Sequence, residues 1–135
     1  MLKEKENELA TVANLKIGQI HQWRYERIGF SNVIHDNPSL ASQIYDCFNM
    51  PDSALQEKEL IKWMKSILVN YDYQSIKLID TNCKVRLAVP ETDTLTDPAI
   101  TPFFRTAIDS QKIIIVDIHR LQSNNNIHLD FIIPM

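Results

Sequence analysis

Residues 75–89 read SIKLIDTNCKVRLAV, and this stretch decides the class of the chain. Two short apolar runs, Ser75 to Asp80 and Lys84 to Val89, flank Thr81-Asn82-Cys83. Aliphatic and β-branched residues bounded by Asp and Asn are the mark of strands joined by a tight turn, so a hairpin is predicted. A second pair follows, Ile113 to His119 and Ile127 to Ile133, rich in isoleucine, around a polar loop holding Asn124-Asn125-Asn126. Sequential hairpins imply an antiparallel sheet.

Upstream the period changes from two to 3.6. Leu9, Val12, Ala13, Ile17, Ile20, Trp23 and Ile28 recur in steps of three to five and make one helical stripe, with Lys3, Glu4, Lys5, Glu6, Glu8 and Lys16 on a solvated face. The first turns are almost wholly charged, which predicts a helix continuing from something upstream. Asp36-Asn37-Pro38 ends this first region, because the residue before proline avoids the helical well. A short helix is predicted from Ser39 to Phe48. A third, from Ser53 to Asn70, is capped by Asp52 or Ser53 and carries a core stripe of Leu60, Trp63, Met64, Ile67 and Leu68. A fourth, from Pro98 to Ser110, follows a Thr/Asp loop running from Pro90 to Asp97. The fold class expected is α+β, an antiparallel sheet with a long N-terminal helix. The organisation expected is a single domain over 1–135: a signalling helix over 1–35, a helical segment over 36–71, and a sheet with an inserted helix over 72–135.

Composition narrows the function. With 135 residues, 44% hydrophobic and 23% charged, a real core can form. The net charge of −3 and the scattered basic residues give no basic face, so no nucleic-acid partner is expected. Cys47 and Cys83 fall in different elements without CxxC spacing and do not fix the redox compartment. No apolar run approaches the ~20 residues that span a bilayer. There is no GxSxG, no HExxH, no Gly-rich phosphate loop and no Cys–His pattern; two glycines in all cannot build a nucleotide cradle. The expectation is a protein that is not an enzyme and has no cofactor.

The hairpin Ile76-Lys77-Leu78-Ile79-Asp80 … Val85-Arg86-Leu87 resembles the signature of extracytoplasmic PAS-like sensor domains of the PDC or Cache class, in which a strand ends in Asp, turns within two or three residues and returns. Ile114-Ile115-Val116-Asp117-Ile118-His119-Arg120 and His128-Leu129-Asp130-Phe131-Ile132-Ile133-Pro134 are similar to the closing part of such domains. The helix with Ile20-His21-Gln22-Trp23-Arg24-Tyr25-Glu26-Arg27 fits their front. The resemblance covers nearly the whole chain through short, degenerate pieces. Cys83 stands where these domains often carry Gly. The family sheet also has five strands where this chain offers four, which implies that the last strand, after Pro134, is lacking.

The resemblance implies signal input in a membrane-bound receptor, of the histidine-kinase, PAS S-box or GGDEF (diguanylate-cyclase) kind. An unidentified small molecule would bind one face of the sheet and shift the first helix, which would also pair two copies as a homodimer. The implied location is extracytoplasmic, with the parent protein anchored in a membrane. Candidate ligand-binding residues are Tyr71, Tyr73, Lys77, Arg86, Arg105, Asp117, His119 and Asp130. If His119 pairs with His128, then Asp117 falls opposite Asp130 and all four side chains share one face. A two-His, two-carboxylate metal site is one reading of that face, a solvated hairpin end a second, and a ligand pocket a third; no metal is expected. Arg86 suits a ligand carboxylate by its fork of donors. A salt bridge to Asp80, or to a carboxylate between Glu91 and Asp97, is the stronger expectation for the cations of this hairpin. Two other functions stay open: a ligand-free dimerisation spacer and a cytoplasmic PAS- or GAF-like binding domain.

Overall fold

The computed structural model describes residues 1–120 and 126–135. In chain order the elements are α1 (Leu2–His35), α2 (Pro38–Asn49), α3 (Ala54–Asn70), β1 (Ile76–Ile79), β2 (Val85–Val89), α4 (Thr101–Ser110), β3 (Ile114–Arg120) and β4 (Ile127–Ile132). The class is α+β with a long N-terminal helix, as the sequence predicts. Met1–Asp36 and Asn37–Met135 form two compact units.

The first unit is α1, 34 residues and therefore about 51 Å long. Residues 1–26 are exposed throughout. Leu9 is 70% exposed, Ile20 62% and Trp23 42%, so this part of the stripe is not a core face. Trp23 is covered on one side by the Arg27 guanidinium, 5.6 Å from the ring centroid. The helix stops where the proline signal places the break. Asn37 takes an extended conformation and its side chain accepts from the Leu40 amide at 3.1 Å, capping α2, while Pro38 fills the first helical position, where no N–H is needed.

The second unit holds the core: Leu40 and Cys47 of α2, Leu60, Met64 and Ile67 of α3, Ala88 and Val89 of β2, Ile100 and Ala107 around α4, and Val116 of β3. Leu60, Met64 and Ile67 fall on one side of α3, which packs against both α2 and β2. Met64 is 0% exposed, and its burial is worth about 2 kcal/mol. The fourth helix begins at Thr101 rather than Pro98. The Asp97 carboxylate accepts from the Ala99 amide at 2.9 Å and the Asp97 carbonyl from the Ile100 amide at 2.9 Å, which folds Pro98 and Ala99 into a turn. Pro102 then takes the early helical position.

The first hairpin pairs Ile76 with Val89, Lys77 with Ala88, Leu78 with Leu87 and Ile79 with Val85, which leaves Arg86 as the extra residue of a bulge. Asp80 shapes its turn by accepting from the Asn82 and Lys84 amides at 2.9 and 3.1 Å. Cys83 has φ 63°, the left-handed conformation that glycine adopts without strain. The resemblance flagged this position, and a non-glycine residue meets the requirement here.

The second hairpin pairs His119 with His128, as the sequence reading supposes, but Asp130 lies opposite Val116, not Asp117. One extra residue between Val116 and His119 causes the difference. The bulge turns Asp117 and Ile118 outward, and Ile118 is 75% exposed. A further correction concerns the sheet. The strands form two separate two-stranded sheets, β1-β2 and β3-β4, instead of one antiparallel sheet. Among the described residues, β1 has no strand beyond β2, and β4 none beyond β3. No helix among the described residues is long and apolar enough to cross a membrane.

Candidate functional site

The polar groups of unit Asn37–Met135 converge where β1, the loop after β2 and the second hairpin approach one another. Lys77, midway along β1, sends its ammonium to Asp93 Oδ1 at 2.9 Å and donates to the Leu95 carbonyl, strapping the loop onto the strand. An ammonium on a strand is costly to shield unless paired, and both partners come from this loop. Burial alone would raise the Asp93 carboxyl. The nearby Ser75 hydroxyl, which makes no well-formed hydrogen bond, and the paired Lys77 ammonium, with the His128 charge, outweigh burial and leave it below the ordinary carboxylate range.

Across from Lys77, the second hairpin presents His119 and Asp130. His119 Nε2 is 3.0 Å from Asp130 Oδ2, a contact of hydrogen-bond length but poor alignment, and both atoms are shielded from solvent. His119 Nδ1 lies 2.9 Å from the Asp117 carbonyl oxygen. The Asp130 carboxyl is pushed up, first by burial and then by the Asp97 charge; His119, His128 and Lys77 pull it partly back. His128 Nε2 is likewise shielded and without a hydrogen bond. The result is a half-buried cluster of both charge signs, with Lys77 among Asp93, Asp97 and Asp130, and two imidazoles beside them.

Of the residues singled out in the sequence, Lys77, His119 and Asp130 come together here. The others do not. Arg86 turns away from the cluster: one guanidinium nitrogen is 3.5 Å from Asp80 Oδ2, another donates to the Phe48 carbonyl at 3.1 Å, and its carbon sits 4.7 Å from the Phe48 ring centroid. It ties the first hairpin to α2, and the expected contact with Asp80 is present. The Asp80 carboxyl is held low by the Lys84 and Asn82 amides and by Arg86. Tyr71 caps the end of α3 and is 43% exposed, while the Tyr73 amide donates to the Leu68 carbonyl at 3.1 Å. Arg105 is exposed on α4, and the Asp117 side chain is exposed at the bulge.

Four members of the cluster were not among the candidates: Ser75, Asp93, Asp97 and His128. A signal for Asp93 was present, since the acidic loop had been named as a partner for the hairpin's cations. His128 belongs to the four-residue face weighed in the sequence as a metal site or ligand pocket, but it is not among the candidate ligand-binding residues.

The cluster's groups can donate, accept and hold protons. Among the described residues, no three His, Cys, Asp or Glu side chains converge to hold a metal ion. The Cys47 thiol is pushed up by burial and then by the nearby Glu57 charge, which keeps it in the un-ionised, poorly nucleophilic form. Compared with family models, curated proteins and solved structures, the chain matches none.

Proposed function

We propose that Asn37–Met135 is a signal-input domain, the extracytoplasmic sensor of a membrane-bound receptor of histidine-kinase or diguanylate-cyclase type, and that a small polar molecule binds at the Lys77–Asp93–His128–Asp130 cluster. One observation carries the reading. Polar groups from two separate sheets and a loop gather in a half-buried place, with His128 Nε2 and the His119–Asp130 contact incompletely bonded. Shielded polar atoms without full partners cost free energy, and a ligand that completes them recovers it. Such a ligand would touch both hairpins and favour the arrangement in which they lie together, shifting a population by its differential affinity.

A thermal-shift screen of polar metabolites tests this. A ligand at 100 times its dissociation constant stabilises by about 2.7 kcal/mol. The stabilisation is expected to vanish in Lys77→Met and in Asp130→Asn. A shift that survives both substitutions refutes the site, and no shift across the polar classes refutes the sensor. Protease protection of the full-length protein in intact cells tests the location.

A second reading, the dimerisation spacer, is favoured by α1. Leu9, Val12, Ile17 and Ile20 are each more than half exposed on a helix whose first 26 residues are bare. Isolated helices are marginal in water, so a second copy laid along the stripe would stabilise it. Sedimentation equilibrium showing a monomer at high concentration removes this reading.

A further inference from the structure

The second hairpin contains an arrangement that needs one proton beyond what its ordinary groups bring. His119 Nδ1 is 2.9 Å from the Asp117 carbonyl oxygen, and a carbonyl only accepts, so Nδ1 carries hydrogen. A neutral imidazole then has only a lone pair at Nε2. That atom faces Asp130 Oδ2, another acceptor, at 3.0 Å. Two bare acceptors repel at this distance. The contact is poorly aligned as it stands, and one added proton relieves the repulsion, either as imidazolium beside carboxylate or as neutral imidazole beside carboxylic acid.

The bulge builds this pair. The extra residue between Val116 and His119 brings the Asp117 carbonyl back to the ring two positions on, which fixes the tautomer. The register also places Asp130 opposite Val116, one pair along from His119. We propose that His119 and Asp130 share a single proton, and that its loss opens the contact between β3 and β4, making this hairpin a proton-responsive element.

The charged surroundings come from every neighbouring element. Lys77 of β1 and His128 of β4 favour the carboxylate; Asp97 of the loop and burial favour the acid, burial most strongly. Asp93 lies beside His128 and is itself held by Lys77. The fourth helix, which packs on both strands, carries Arg105 and Asp109, both exposed, and Arg120 at the end of β3 is exposed too. The side chains of His119 and Asp130 are 21% and 35% exposed, so the proton exchanges with water. On its loss to solvent, the Nε2 lone pair and the carboxylate face each other, and the ring swings away from Asp130. The inference shares the hairpin with the proposed sensor but needs no ligand, so either can fail alone.

The experiment is nitrogen-15 and carbon-13 NMR of the full chain between about pH 4 and pH 9, the span over which carboxylates and imidazoles titrate. The expected result is an Nδ1–H tautomer for neutral His119, together with one common apparent titration seen by its ring, by the Asp130 carboxyl and by the amides from Val116 to His119. Asn at 130 or Gln at 119 supplies an amide donor at every pH. The common titration is therefore expected to disappear from the hairpin amides in Asp130→Asn and in His119→Gln. A neutral His119 with hydrogen on Nε2 and a bare Nδ1 overturns the proposal, as do hairpin amides that ignore the ring's titration. The tautomer is read in the unsubstituted protein, so the test stands even where a variant fails to fold.

Discussion

Replacing Arg86 with alanine asks whether the guanidinium holds the fold or waits for a ligand. It donates to the Phe48 carbonyl at 3.1 Å and lies 4.7 Å from the Phe48 ring centroid. A hydrogen bond from a charged group is worth about 1.5–3 kcal/mol, but the Arg86 side chain is 36% exposed, which reduces this to about 1 kcal/mol. Stacking on the half-buried Phe48 ring adds about 0.5–1 kcal/mol. The loss for Arg86→Ala is therefore about 1.5–2 kcal/mol. In a unit the size of Asn37–Met135 this lowers the melting temperature by about 10 °C. Arg86→Lys keeps the charge near Asp80 but loses the fork and most of the stack, so about half the loss should remain. A double-mutant cycle with Phe48→Leu, which removes the ring and leaves the carbonyl, isolates the stacking share. Calorimetry with urea titration is the assay. If Arg86→Ala melts within about 2 °C of the unsubstituted protein, the strut between the first hairpin and α2 is refuted and Arg86 returns as a ligand group.

Three further outcomes follow from particular residues. Met64→Ala should cost about 2–4 kcal/mol, because the side chain is 0% exposed, whereas Val69→Ala on the outer side of the same helix, 78% exposed, should stay within about 0.5 kcal/mol in urea unfolding. The Asp130 carboxyl is raised in the folded state, so the folded chain holds its proton more tightly than the unfolded chain. Stability is full below the unfolded value and falls as pH rises through the folded one; Asp130→Asn should therefore gain on the unsubstituted protein toward neutral pH and match it near pH 3, as read from melting curves across pH. Cys83→Gly should raise stability by about 0.5 kcal/mol, since φ 63° strains a side chain more than glycine's extra unfolded-state freedom costs; a lower melting temperature would show that the turn does not need that conformation.

The elements were legible because each has its own local signal. Asn37-Pro38 marks a helix end and a cap together, Leu60, Met64 and Ile67 repeat on the helical period, and the isoleucine runs alternate with turn residues. Pairing between elements was not legible. Nothing local in the sequence distinguishes four strands in one sheet from two hairpins apart, since that choice depends on packing at a distance. The bulge between Val116 and His119 was equally silent. A one-residue insertion exchanges which side chains face each other, so the expected Asp117–Asp130 pair became Val116–Asp130 while His119–His128 was kept. The site was partly readable for the same reason. Lys77 could be recognised as a cation in need of a carboxylate, but which acid in the loop would reach it could not.

The separation of the two sheets bears on how the molecule loosens. Within each hairpin, ladder hydrogen bonds make opening cooperative, but among the described residues no ladder joins one hairpin to the other. Charges do part of that work: Lys77 of β1 and His128 of β4 both act on Asp93 and Asp130. Ladder bonds ignore ionic strength, while these half-buried charges, still in reach of water, weaken in part as the screening length falls from about 30 Å at 0.01 M salt to about 3 Å at 1 M. Added salt should thus uncouple the hairpins before it melts either of them. Amide exchange would then report two separate opening events, one for Ile76–Val89 and one for the second hairpin, that merge into one as the salt is removed.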